Sequence, residues 1–410
     1  MESSNKSLLA ELNDNNIRGI NNESIASGTL SFKIFDNIKK LYLIRDFWIC
    51  KQWQHYTDYD YYIDIVSNEK GVIRPCVIAA YENGNPILLL IGVIREKDYR
   101  LKIGYKPLWK IKTRYLEIMY GGVLGEQSLS VCKGTIKFVK KILSNEKLDY
   151  VLFKELDINS PLNKAIKKFG GKLSTSKFDI SNPHLYMDFP DSFKTFLETK
   201  TGKKRRKIKS IGNRLEEDFK GRFELNLYSE LKDIDTIMND IDAVASNTYQ
   251  DKLGVAFVND SETEETIKYE LNRNRLLAWI LYIDGKPIAY ATGLIYRNAF
   301  LGSKMGFLYE YNYYRPGSYL MLQQIIYLCE SNIVNRLDFG FGDTEWKRDY
   351  NTSTQIESNV YIYSMNPKGF VLNLMGTFNR ITLLLYRNLS KRFESIRKIK
   401  KKSRDTLRKS

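Results

Sequence analysis

Apolar positions along this chain recur in two rhythms, and the switches between them lay out the elements. Val77–Tyr81 and Ile87–Ile94 are apolar, β-rich runs on either side of Asn83-Gly84-Asn85-Pro86, which predicts two strands joined by a tight turn. Around Leu129–Leu143 the spacing lengthens to that of a helix, and Tyr150–Leu156 returns to a strand. The order then repeats. Tyr282-Ile283-Asp284-Gly285-Lys286-Pro287-Ile288 lies 201 residues after Tyr81-Glu82-Asn83-Gly84-Asn85-Pro86-Ile87, and the same offset pairs Gly293 with Gly92 and Ile295 with Ile94. The recurring strand, turn and strand, with a glycine at one fixed place, predict an internal duplication.

Later elements follow the same logic. Ala299–Phe307 reads as a strand, and after a tyrosine-rich loop a helix carries Leu322, Ile325, Ile326 and Cys329 on one face. Leu337, Phe339 and Phe341 alternate with Asp338 and Gly340, the period of a half-buried strand, until Gly342 and Asp343 break it. Between the two repeats, residues 193–220 predict one long helix N-capped by Asp191 or Ser192. Its ends are apolar (Phe193, Phe196 and Leu197; Leu215 and Phe219), its middle is almost wholly cationic, and Gly202 and Gly212 loosen or bend it.

Composition narrows the class. With 410 residues and 43% hydrophobic content the chain buries a sizeable core and is long enough for two domains. Its longest apolar run, Ile87–Ile94, is strand-sized, far short of the roughly 20 residues that span a bilayer. The polar N-terminus lacks a basic-then-apolar leader, and Cys50, Cys76, Cys132 and Cys329 lack metal spacing; both features predict a cytoplasmic protein without a metal. Two histidines, His55 and His184, leave little room for a histidine-centred zinc site or a Ser–His–Asp triad.

The net charge of +16 is local. Residues 200–214 contain eight cations and no acid, giving +8, and residues 387–410 contain eleven cations against Glu394 and Asp405, giving +9, so the remainder sums to −1. The chain is a near-neutral globule with two basic devices. In the second, residues 376–410, Leu383, Leu384, Leu385, Leu389, Phe393 and Ile396 are interleaved with cations, which suits either an anionic membrane surface or a helix packed on the body with a basic end. Residues 1–30, polar and aperiodic, read as disordered. The aromatic cluster Phe47, Trp48, Trp53, Tyr56, Tyr59, Tyr61 and Tyr62 reads as core packing or as a platform for a sugar or lipid acceptor.

Two places carry candidate chemistry. The junction of the 299–307 strand with the following helix, at Arg315, Gly317 and Ser318, offers free backbone N–H groups and the positive end of a helix, which suit a phosphate or pyrophosphate; as a simple turn it needs no ligand. Asp338 stands inside a strand, where aspartate is depleted and costly to bury unpaired, so it needs a partner; Lys347 and Arg348 are the nearest by sequence. The cations around Lys204, Arg205 and Arg206 read either as a phosphate-binding face or as a solvated helix side.

The stretch Leu337-Asp-Phe-Gly-Phe-Gly-Asp-Thr-Glu-Trp-Lys347 resembles the DFGxGD…YK segment of the CelD/BcsL-type acetyltransferases, a branch of the GNAT acyltransferases related to the Fem-type aminoacyltransferases. Trp346 stands where that pattern usually has tyrosine. The resemblance implies an α+β fold of tandem GNAT-like domains, each a mixed sheet flanked by helices, at 31–190 and 191–375, followed by the basic tail at 376–410. It also implies an acyl-CoA, such as acetyl-CoA, as co-substrate. In that family an Arg/Gln start and two glycines hold the coenzyme pyrophosphate; here Arg315 and Gly317 match, and a second glycine is missing. Acyl transfer needs a base and a group that stabilises negative charge. Asp343 or Asp338 is the expected base or acceptor-orienting group, with Lys347 neutralising a phosphate or the oxyanion; a structural Asp–Lys pair is the alternative.

Three functions follow. The first is a cytoplasmic N- or O-acyltransferase, free or peripheral at the inner membrane face, acting on a small-molecule or lipid-linked glycan precursor of the cell envelope or a polysaccharide. Another is a Fem-like aminoacyl-tRNA-dependent peptidoglycan transferase, which the missing glycine and the basic segment favour. The third, a non-enzymatic nucleic-acid or membrane-binding protein, lacks any recognisable binding module.

Overall fold

The computed structural model describes residues 30–103, 106–248 and 257–392. Of the disordered lead expected at 1–30, all but Leu30 lies outside the described residues, as do residues 393–410 of the basic tail. The strands are β1 (Leu30–Phe35), β2 (Val72–Pro75), β3 (Val77–Glu82), β4 (Asn85–Ile103), β5 (Lys106–Gly125), β6 (Tyr150–Asp157) and β7 (Ser181–Asp188). The second half adds β8 (Phe223–Tyr228), β9 (Leu276–Ile283), β10 (Lys286–Tyr296), β11 (Ala299–Phe307), β12 (Arg336–Phe341) and β13 (Ser353–Tyr363). They form one sheet in the order β1-β3-β4-β5-β6-β13-β7-β12-β11-β10-β9-β8, with β2 on β4. Helices cover both faces, and the fold is α+β, a mixed sheet flanked by helices and built from two similar halves.

Along the main path of the sheet each half sets four antiparallel strands and then one parallel strand: β6 beside β5, and β12 beside β11. The next neighbour comes from the other half. β13 lies against β6, β7 lies against β12, and β7 and β13 pair with each other, so the sheet runs unbroken between the halves.

The 201-residue repeat is a repeat of backbone geometry. Asn83 and Gly84 have φ of 51° and 82°, and Asp284 and Gly285 have 51° and 75°, the left-handed pair that a two-residue hairpin turn requires. One bulge follows each turn, between Pro86 and Leu88 and between Pro287 and Ala289. A second precedes each matched glycine, between Leu90 and Gly92 and between Ala291 and Gly293. Both glycines are needed for close approach: a Cβ on Gly92 would meet Glu117 O at 2.9 Å, and one on Gly293 would meet the Phe300 ring at 2.1 Å.

The helix Leu129–Asn145 buries Val131, Ile136, Val139 and Leu143 on one face of the first half's sheet, while Trp48 and Tyr62 fill the core on the other. In the second half, the helix Pro316–Ser331 buries Leu322, Ile325 and Cys329 as expected, and Ile234–Ala245 and Ser261–Leu271 cover the opposite face. The early aromatic cluster divides. Trp48 and Tyr62 are core, whereas Trp53 and Tyr56 remain exposed.

Two local expectations change. The single basic helix is three short ones, Phe193–Glu198, Gly202–Lys209 and Asn213–Asp218. Ser192 and Thr201 cap the first two, and Gly212, at φ 96°, starts the third, so a new start signal falls every ten residues or so. β12 is also not half-buried. Leu337, Asp338 and Phe339 are all buried, and a bulge at Gly340 (φ 68°) turns Phe341 away from the core stripe into partial exposure.

Candidate functional site

β11 and β12 pair in parallel only over Ala299–Leu301 and Arg336–Asp338, and beyond that point they part. Gly302, Ser303 and Lys304 of β11 are exposed along the opening. Asp338 is therefore the last paired residue before the gap. Its Oδ1 accepts the N–H of Gly340 at 2.6 Å and lies 2.5 Å from His184 Nε2, on the strand contributed by the first half. The other ring nitrogen of His184 lies 3.2 Å from Glu357 Oε2 on β13 and 3.1 Å from Tyr120 Oη on β5. Tyr120 Oη also donates to Glu357 Oε1 at 3.4 Å and accepts from Gln54 Nε2 at 3.4 Å. Tyr186 stacks on the imidazole and Phe341 is tilted against it, each with its ring centroid 4.4 Å away. The cluster thus draws on both halves and on the two exchanged strands.

Electrostatics fix the protonation of its centre. Burial alone disfavours the charged imidazole, but hydrogen bonds and charge from Asp338 and Glu357 outweigh it and hold the His184 pKa up at about 9. Near neutral pH the ring is an imidazolium donating from both nitrogens, so it grips the carboxylates and takes up no proton. Burial pushes Glu357 upward, against the pull of His184. Lys347 is likewise buried and lowered by desolvation, with Asp338 opposing the shift.

The predicted residues separate. Asp338 sits in the cluster, but its partner is His184, not Lys347 or Arg348; sequence distance misled because the partner strand comes from the other half. Lys347 Nζ donates to Gly340 O at 3.3 Å and Phe341 O at 2.8 Å, pinning the turn after β12. Asp343 is outside the cluster, in an exposed pair with Arg348 at 2.6 Å. Arg315 is exposed and left-handed (φ 54°), and its carbonyl takes the N–H groups of Ser318 and Tyr319 at 2.9 and 3.1 Å. The helix start at Pro316, Gly317 and Ser318 thus has fewer free donors than expected, since proline has none and Ser318 is occupied. Arg205 is committed too: it caps the preceding helix through Leu197 O at 3.0 Å and Glu198 O at 3.2 Å. Lys204 and Arg206 are exposed. These basic helices lie against the chemistry-bearing segments, with Lys207 on Asp349 at 2.7 Å and the Arg214 guanidinium 4.8 Å from the Tyr313 ring centroid.

His184, Glu357 and Tyr120 escaped the sequence reading. The available signal was the one that singled out Asp338, a titratable residue inside an apolar strand: His184 stands in Pro183-His-Leu-Tyr-Met, Glu357 in Gln355-Ile-Glu.

Residues 202–348 match the family described as the acetyltransferase (GNAT) domain, so the second half carries a GNAT-type acyltransferase domain. No curated protein matches the chain. Among solved structures it is similar to FemX, at 10% identity over 73% of this chain and 90% of that one, with a TM-score of 0.47. L-PGS from Bacillus licheniformis shows 13% identity over 87% and 99% of the two chains, with a TM-score of 0.45. A tandem GNAT protein from the clavulanic acid biosynthesis pathway shows 7% over 82% and 98%, with a TM-score of 0.41. No helix among the described residues is long and apolar enough to cross a membrane.

Proposed function

We propose that the chain transfers an acyl group, acetyl in the first instance, from an acyl-CoA to an amine or hydroxyl of a cell-envelope or polysaccharide precursor. The observation that carries this reading is the parting of β11 and β12 immediately after Asp338, within the stretch that matches the GNAT domain. Parted strands leave unpaired backbone groups along which an amide-bearing pantetheine arm can lie as an added strand. The helix following β11 begins at Pro316, beside exposed Arg315, a bidentate donor suited to the coenzyme pyrophosphate.

Both observed bonds of Asp338 fall on Oδ1, which makes Oδ2 the oxygen for the acceptor. In the proposed step the acceptor N or O attacks the thioester carbonyl while its proton passes to Asp338 Oδ2. The C–S bond then breaks, and the departing thiolate takes up that proton from Asp338 Oδ2, which restores the carboxylate. His184 holds the carboxylate in place, Lys347 fixes the turn behind it, and Asp343, on the surface, orients the acceptor. Lys204 and Arg206 supply positive potential for phosphates of donor or acceptor. The setting proposed is the cytoplasm, peripheral to the inner membrane face, with a lipid-linked glycan as acceptor and the basic tail against anionic lipid.

A second donor, aminoacyl-tRNA, is favoured by one observation: Arg315 O already occupies the Ser318 and Tyr319 N–H groups that a pyrophosphate would use. Calorimetric titration with acetyl-CoA separates the two. Micromolar binding that weakens about tenfold or more in Arg315→Ala supports the coenzyme reading. Absence of binding at millimolar coenzyme, together with salt-sensitive tRNA affinity, replaces it with the second.

A further inference from the structure

One protrusion of the first half has no counterpart in the second. β10 and β11 turn at Arg297 and Asn298, whereas β4 and β5 continue as a hairpin that pairs Lys97 with Thr113 and Ile103 with Lys106. Residues 97–114 carry seven Lys and Arg against Asp98 alone, a third basic device that the summed charge conceals. Near the tip, Leu108 and Trp109 are 59% and 54% exposed.

Along this hairpin lies the helix Pro367–Arg392, which begins well before the tail expected from residue 376. Gly376 sits so close that a Cβ would meet Tyr99 Oη at 2.5 Å. Asn379 accepts from Lys102 N and donates to Arg100 O, both at 2.8 Å. With that face engaged, Phe370, Leu374, Phe378, Ile381, Leu385 and Leu389 all remain exposed, from 37% to 64%. Their spacing of four, four, three, four and four confines them to about 100° of the helix circumference, an apolar stripe of the kind helices bury. The turn that starts the helix borders a cavity of about 960 Å³ lined by Lys140, Lys147 and Lys172, with Leu173 and Met365 exposed at its rim.

We propose that the exposed Leu108 and Trp109 of the hairpin and the helix stripe form one docking surface for an anionic lipid bilayer. A tryptophan and leucine on a lysine-rich hairpin, together with an apolar helix face, match the acyl boundary below and the phosphates above. Charge decides between occupants. A second copy seated on the stripe would bring two basic hairpins and two basic tails together, and nucleic acid would leave six apolar side chains uncovered. The proposal moves the membrane contact from the tail alone to Lys97–Arg114 and Phe370–Leu389, and it stands without the acyltransfer reading.

The test is co-flotation of the full chain with phosphatidylcholine vesicles, with and without about 30% phosphatidylglycerol. Trp109→Ala and the double variant Leu374→Glu, Phe378→Glu are compared with the unmodified chain, each checked by thermal melt. Binding only to the anionic vesicles, lost about tenfold or more in the helix variant and severalfold in Trp109→Ala, is the expected result. The proposal is overturned if the unmodified chain ignores anionic vesicles, if binding survives both variants, or if the helix variant changes only oligomeric state or nucleic-acid binding. Acetyl-CoA titration of the same proteins reports separately on the acyltransfer reading.

Discussion

The two halves share a backbone plan and differ in what they place on it. Both have the same left-handed turn, the same two bulges and the same parallel strand after the same helix. Counting from the matched glycines, the strand position held by Asp338 in the second half is held by Leu152 in the first. In the first half the neighbouring strand instead carries buried Glu117, 3.4 Å from both Arg95 and Lys154, so its carboxylate is spent on ion pairs. The hairpins diverge in the opposite sense, long and basic in the first half and short in the second. Duplicated geometry fixes where a side chain stands, and a handful of substitutions on it put a buried Asp–His pair in one half and a long basic hairpin in the other.

The sharpest way to break this comparison is to give the second half the first half's residue. Asp338→Leu leaves the buried His184 imidazolium with one carboxylate fewer, and losing one partner of a buried pair costs about 3–5 kcal/mol. Urea unfolding should show that loss; an unchanged midpoint would mean the cluster does no structural work.

Next in size is the pH dependence of the same cluster. The His184 pKa is raised to about 9 in the fold, from an ordinary value near 6.5. Its contribution is thus complete below about pH 6.5 and is lost as pH rises through about 9, an effect on the order of 3 kcal/mol. The melting temperature of the unmodified chain should fall across that window relative to His184→Gln, and parallel curves for the two would refute the assignment.

Smaller still is the test of the shared plan. Gly92→Ala and Gly293→Ala should each cost about 1–3 kcal/mol by overpacking, with Gly293→Ala the worse, since its new Cβ meets Phe300 at 2.1 Å against 2.9 Å at Gly92. Denaturant midpoints that reverse that order would show that the two bulges are not equivalent.

Much of this framework was legible in the chain itself. The 201-residue offset located both turns and both glycines because tight turns and bulges demand particular residue types. Ala299–Phe307 matches β11 end for end, since strand propensity and a following helix signal agree there. The cluster around Asp338 was half legible. An aspartate inside an apolar strand announces a partner, but nothing local says that the partner is His184, 154 residues earlier on a strand lent by the other half. Long-range pairing of that kind depends on sheet order, which periodicity does not encode. The basic helix misled for a simpler reason: periodic apolar ends joined what Thr201 and Gly212 separate.

The exchange of β7 and β13 also has a consequence for the chain as it is made. The first half's sheet stays open beside β6 until residues 353–363 have been synthesised, because the strand that closes it is among the last. β7, which carries His184, gains β12 once residue 341 has been made and β13 only later. The two repeats are therefore not independent units added in series: the first half's sheet cannot close beside β6 before β13 has been made. The junction that assembles the candidate site includes Glu357 of β13, so a full set of site residues exists only in chains whose synthesis has passed β13.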